Sequence, residues 1–182
     1  MVKGLIKILI ALLCLDGALV YSQGAPAIKC PCINRALQTL SGDDRQFEAA
    51  RCQLESPASD CHNPTAGIKT MTQLADNNYP KAQYLIGHWS MSGKAELKVN
   101  YKKALSLLTK AAGQNIVAAY HDLGWLYETG KGTRSDLDKA LALSTKAEAA
   151  GDIRGKLGLK RIELARLKLQ YPGPKKNKTD GL

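Results

Sequence analysis

Ala82-Gln83-Tyr84-Leu85-Ile86-Gly87 returns 37 residues later as Ala119-Tyr120-His121-Asp122-Leu123-Gly124. Gly93 and Gly130 keep the same separation. Further on, Tyr101-Lys102-Lys103-Ala104-Leu105 through Lys110-Ala111-Ala112-Gly113 matches Leu137-Asp138-Lys139-Ala140-Leu141 through Lys146-Ala147, now at a shift of 36. A period of this size marks helix–turn–helix units that cannot bury their apolar faces alone and stack on one another. The expected fold is all-α, a short α-solenoid of antiparallel helix pairs with a disulfide-braced N-terminal helical region. A stack of this kind offers a surface, which turns the question of function toward binding.

Working outward, the two clear repeats run from Lys81 to Gly113 and from Gln114 to Gly151. Each has a helix, a loop with glycine (Ser92-Gly93-Lys94-Ala95-Glu96 or Thr129-Gly130-Lys131-Gly132-Thr133) and a second helix. Before them, Asn63-Pro64 provides an N-cap and a first helical residue, and a helix should reach about Asp76. Asp43-Asp44 start another over Arg45 to Glu55, where Phe47, Ala50 and Leu54 recur at helical spacing and Pro57 stops the run. Residues 43–78 thus read as a degenerate first repeat. A brief helix over Ile33 to Leu40 precedes it. After the repeats, a capping helix is expected from about Ile153 to Gln170, its apolar residues split between Ile153, Leu157, Leu164 and Ile162, Ala165, Leu169.

The N-terminus has Lys3 and Lys7, then the apolar run Ile8 to Leu15, then small and polar residues up to Ala25. That is the layout of a secretory signal peptide cut after Ser22. The run is far short of the ~18–20 residues that span a bilayer, so no transmembrane segment is expected. The divisions are 1–22 leader, 23–64 cysteine-containing cap, 65–151 repeats, 152–171 capping helix and 172–182 disordered basic tail. Export to the periplasm or medium changes how the cysteines read. Removing the leader takes Cys14 and leaves Cys30, Cys32, Cys52 and Cys61, an even set in an oxidising compartment. C-x-C followed by C-x8-C lacks the paired knuckles of zinc modules, so disulfides are preferred to metal. If the helices before and after Ser41-Gly42 form a hairpin, Cys32 lies near Cys52 and Cys30 is left for Cys61.

In the second clear repeat, Ala119, Leu123-Gly124, Tyr127, Gly130, Gly132, Asp136, Lys139-Ala140 and Lys146-Ala147 follow an order that resembles a Sel1-like repeat. The first resembles it less closely, with Ile86, Ser90 and Asn100 as departures and no second loop glycine. The resemblance covers about residues 66–158 and implies an adaptor that brings proteins together. The residues also have a physical reading. Gly87 and Gly124 should let a neighbouring helix approach closely, despite a propensity loss of about 1 kcal/mol against Ala. Ala82, Ala104, Ala119 and Ala140 serve the same contact. Tyr127 supplies a packed ring with a polar tip. Gly130 and Gly132 suit positive backbone angles, and Asp136 suits a cap.

No nucleophile elbow, phosphate loop or repeated carboxylate pair is present, so no catalytic residue, cofactor or metal is assigned. His88 and His121 fall on the first helices of their repeats, at non-equivalent positions. His88, Trp89 and Trp125 follow the packing glycines and are the candidate partner-binding residues, with a buried, core role for both Trp side chains as the alternative. The net charge is +10, and basic residues crowd the segment from Arg154 to Lys178. Such a cluster favours acidic protein or anionic lipid surfaces. Nucleic acid is not expected, because no motif interleaves aromatics with these charges. The leading expectation is an exported adaptor or scaffold that binds another protein through the groove of its solenoid, with His88, Trp89 and Trp125 as anchors there. The alternatives are an envelope-associated structural protein held by its basic C-terminus, or a secreted enzyme or small-ligand binder.

Overall fold

The computed structural model describes residues 40–55 and 62–172. The expected leader, the helix over Ile33 to Leu40 apart from Leu40 itself, Cys30, Cys32, Cys61 and the tail beyond Pro172 lie outside the described residues. Among the described residues there are seven helices and no strand: α1 Gly42–Glu55, α2 Pro64–Asp76, α3 Pro80–Ser92, α4 Tyr101–Gly113, α5 Val117–Thr129, α6 Leu137–Ala149 and α7 Ile153–Gln170. Each packs on the next, while α5 also touches α3 and α7, as in a stack of helix pairs. Together they form an α-solenoid.

The backbone repeats as strictly as the sequence, and it does so three times. Inside each pair, the residue capping the second helix donates its backbone N–H to the end of the first. Asn63 reaches the Gln53 carbonyl at 3.0 Å, Asn100 reaches Ser90 at 2.8 Å and Asp136 reaches Tyr127 at 2.9 Å. The side chains of these three then accept from Ala66, Lys103 and Lys139, satisfying amides that the helix start leaves unpaired. Between pairs, Tyr79, Ile116 and Asp152 donate to Leu74, Ala111 and Ala147. The turn there needs a positive φ, supplied by Asn78 (68°), Asn115 (62°) and Gly151 (83°). Asn tolerates this region better than other side chains. Residues 43–78, the degenerate unit, therefore fold as a full helix pair.

The core follows from the small residues. Ala82, Ala104, Ala119 and Ala140 are all fully buried. One apolar cluster joins α1 to α4 through Phe47, Met71, Leu74, Ile86, Trp89 and Leu107. The other joins α4 and α5 through Leu108, Ala111, Leu123 and Leu126. Gly87 is needed for close approach, since a Cβ there would stand 2.9 Å from Leu108 Cγ. Gly124 differs from expectation. Its Cβ would meet Leu143 Cβ at 3.5 Å, an ordinary contact, so packing does not require glycine there. Gly130 and Gly132 do take positive φ, 70° and 77°. Tyr127 packs beside Lys139, whose Nζ lies 5.3 Å from the ring centre.

Cys52 is the one described cysteine of the four assigned to disulfides, and it is buried on α1. In the predicted Cys32–Cys52 and Cys30–Cys61 pairings, the other three cysteines lie outside the described residues.

Candidate functional site

Counting along the period of 37 and then 36 residues places one side chain of each first helix beside its equivalents. Cys52, Trp89, Leu126 and Ile162 form one such ladder, and all are buried, from 0% to 8% exposed. One residue earlier stand Arg51, His88, Trp125 and Arg161. Arg51, His88 and Arg161 have side chains 47%, 35% and 40% exposed, and Trp125 is half-buried. A helix turns about 100° per residue, so adjacent ladders face opposite media. Trp89 is therefore a core residue and not a groove anchor. Its equivalents Cys52 and Leu126 already carried that signal in the sequence. His88 and Trp125 occupy the same place on successive helices, on the accessible side.

The neighbouring ladder is Phe47, Tyr84 and His121. Together these side chains shape one face across α1, α3, α5 and the start of α7. At its α1 end is a cleft of about 340 Å³, lined by Phe47, Glu48, Arg51, Glu55, Lys81, Tyr84, Leu85 and Ile116. Arg51 is held between Glu48 (2.6 Å) and Glu55 (3.7 Å) on its own helix. Lys81 bonds Asp44 at 3.0 Å. Tyr79 also donates its hydroxyl to Asp44. Burial first, and then that bond, push the Tyr79 phenol up to about 12.

At the other end, the Asp122 carboxylate stands between two imidazoles. His88 Nδ1 is 2.7 Å from Oδ2, and His121 Nδ1 is 2.9 Å from Oδ1. Asp122 is only 3% exposed. Burial would raise its pKa, yet the hydrogen bonds from His121 and His88 outweigh this and hold it at about 2. The His88 bond crosses from α3 to α5 and ties two repeats. Tyr84 lies over His88, ring centres 5.8 Å apart, and its hydroxyl is held up by burial and by the Asp122 charge. Arg154 reaches the Tyr84 hydroxyl and forms a fork on Asp152, with Nη2 2.6 Å from Oδ2. That fork lowers the Asp152 pKa and raises that of Arg154.

The two histidines, at non-equivalent positions of their repeats, thus meet on a shared carboxylate. Among the described residues, no three His, Cys, Asp or Glu side chains are placed to hold a metal ion. Sequence reading missed Tyr84, Asp122, Asp152 and Arg154. Only Asp122 gave a signal, as a charge in the middle of an otherwise apolar helix. Trp125 sits apart from the histidines, 6.4 Å from the Tyr101 ring centre, with Lys131 Nζ 4.8 Å from its own.

The arrangement offers binding chemistry: a cleft with both signs of charge, exposed aromatic edges, and polar side chains fixed by their own partners before anything docks. Residues 80–116 and 117–152 each match the Sel1 repeat. No curated protein matches the sequence. Among solved structures, the chain is similar to a Sel1 repeat protein from Oxalobacter formigenes, with 24% identity, TM-score 0.60, and coverage of 71% of this chain and 92% of that one. It is also similar to a protective antigen of uropathogenic Escherichia coli strains that displays an SLR fold, with 21% identity and TM-score 0.60. That match covers 68% of this chain but spans only 26% of the E. coli protein.

Proposed function

We propose that this chain, which carries two Sel1 repeats, is an exported adaptor that holds another protein against the face of its first helices. Sel1 repeat proteins generally mediate protein–protein interaction. The observation that carries the reading is the contrast between neighbouring ladders. Cys52, Trp89, Leu126 and Ile162 are all buried and all apolar, as the stack requires. Arg51, His88, Trp125 and Arg161 are accessible and carry two guanidinium groups, an imidazole and an indole, so apolar packing does not dictate them. A row of cationic and aromatic side chains on a rigid frame suits recognition of one partner surface. The cleft beside Arg51 and Tyr84 would take an apolar or aromatic side chain of that partner.

Export rests on the leader, and the disulfide brace on Cys52 together with the cysteines around it. The role proposed is that of a scaffold, with no reaction assigned to the histidine–carboxylate cluster. Crosslinking in cells that make the protein, followed by affinity capture, tests the binding face. Arg51→Glu with Tyr84→Ala should lose the proteins that the wild-type chain captures, with melting curves confirming that the variant is folded. Recovery of the same proteins by both forms would refute the reading. Sequencing of the mature N-terminus tests export, with Gln23 expected as the first residue.

A further inference from the structure

Helix α7 buries one side and leaves the other bare. Gly155, Gly158 and Ile162 pack inward. A Cβ at Gly158 would stand 2.5 Å from Ser144 Oγ, so α7 lies closely on α6. On the other side Ile153 (76%), Leu157 (54%), Leu164 (52%), Leu167 (47%) and Tyr171 (70%) are exposed. With Lys160 they are spaced four, three, four, three and four residues apart. This is the narrow a/d seam of a helix that packs on a single partner helix. The equivalent side of α5 shows what the seam is for. There, Gly124 faces Leu143 and Ser144 of α6, and Glu128 accepts a fork from Arg161 of α7. On α7 the same side meets no described helix.

The charges around the seam restrict its occupant. Arg161 is neutralised by Glu128 and Arg166 by Asp138. Lys156, Lys160 and Lys168 have no ion pair among the described residues, and they flank or enter the seam. A second copy laid antiparallel on α7 would set Lys160 of each copy against Leu164 of the other, burying an unpaired charge twice. A bilayer favours a broad apolar face, whereas this one is a narrow stripe with Lys160 inside it.

We propose that the exposed seam of α7 docks an acidic amphipathic helix of a partner protein, with apolar residues at heptad spacing and Asp or Glu beside them. The 18 residues of α7 extend about 27 Å, so the docked helix would be about as long. The seam adjoins the face of the first helices at Leu157, which follows Tyr84 and His121 in their ladder, but the proposal does not rest on that face.

A labelled synthetic peptide of about five helical turns, with Leu at heptad spacing and Glu flanks, is titrated into the full chain by fluorescence anisotropy. Saturable binding that weakens with salt is expected. Leu157→Ser with Leu164→Ser should weaken it by about tenfold or more, and Lys160→Glu with Lys168→Glu should do likewise. Arg51→Glu should leave it unchanged. These positions are exposed, and melting curves confirm that each variant is folded. No binding, or equal binding of the same peptide with Lys flanks, overturns the proposal. So does dimerisation by sedimentation that Leu157→Ser abolishes, which makes the occupant a second copy. Seam-dependent binding to phosphatidylglycerol vesicles without peptide binding overturns it in favour of lipid.

Discussion

The two segments that match the Sel1 repeat reach one geometry with different residues. In the pair α3 and α4 the first helix needs Gly87, because Leu108 is pressed against it, whereas in α5 and α6 the equivalent Gly124 has ordinary room. The loops reverse this. Gly132 carries φ 77° beneath the Tyr101 backbone, and its counterpart Ala95 adopts 53° with Glu96 at 61°. The earlier loop has one residue more, which is why the sequence shift drops from 37 to 36. The lesson is that a repeat fixes backbone hydrogen bonds and caps first. Which glycine is indispensable depends on the neighbours that each copy happens to have.

The largest test of this contrast lies in the loops. Gly132→Ala would force a side chain into a left-handed conformation and place its Cβ 2.5 Å from the Tyr101 carbonyl oxygen. A loss of about 3 kcal/mol is expected in chemical denaturation. If the loss were below 1 kcal/mol, the loop would not be seated on α4 as described.

Next comes Asp122, which stands where the earlier repeat has Leu85. Its folded pKa of about 2 lies below the ordinary 3.8, so the folded chain binds fewer protons than the unfolded one. Its contribution is full above pH 4 and lost as pH falls toward 2, about 2 kcal/mol in all. Stability of the wild type and of Asp122→Asn, measured from pH 6 to pH 2, should converge over that range. Parallel curves would mean that the two imidazoles do not stabilise the carboxylate.

The helix glycines separate the copies more gently. Gly87→Ala should cost about 1–2 kcal/mol, overpacking against Leu108 outweighing better helix propensity. Gly124→Ala should be neutral or stabilising by up to about 1 kcal/mol. Equal effects would erase the distinction. The smallest change is Ala95→Gly, expected to add about 0.5 kcal/mol by relieving a left-handed alanine.

Much of the fold was legible because helix starts and stops are local chemistry. Asn63-Pro64, Asn100, Asp136 and Gly130 mark their own positions, and the period then dictates which helices stack. The site was only half legible. His88 and Trp125, placed by their position after the glycines, lie on the accessible side, but Trp89, placed by the same rule, is buried. A single residue step rotates a side chain from the accessible face into the core, and only comparison with Leu126 reveals on which side Trp89 falls. The meeting of His88 with His121 on Asp122 depends on the stagger between repeats, a distance that no sequence period encodes. Arg154 was read as part of a basic cluster, although the structure ties it to Asp152 and Tyr84.

The claim that matters most is that the first helices, and not the second, present the binding face. A photo-crosslinking benzophenone side chain placed in living cells at Arg51 or Trp125 is compared with one at Lys102 or Thr145, exposed on α4 and α6. The account predicts a common protein adduct from Arg51 and Trp125 and none from Lys102 or Thr145. Adducts of equal yield from all four positions, or only from the second helices, would contradict it.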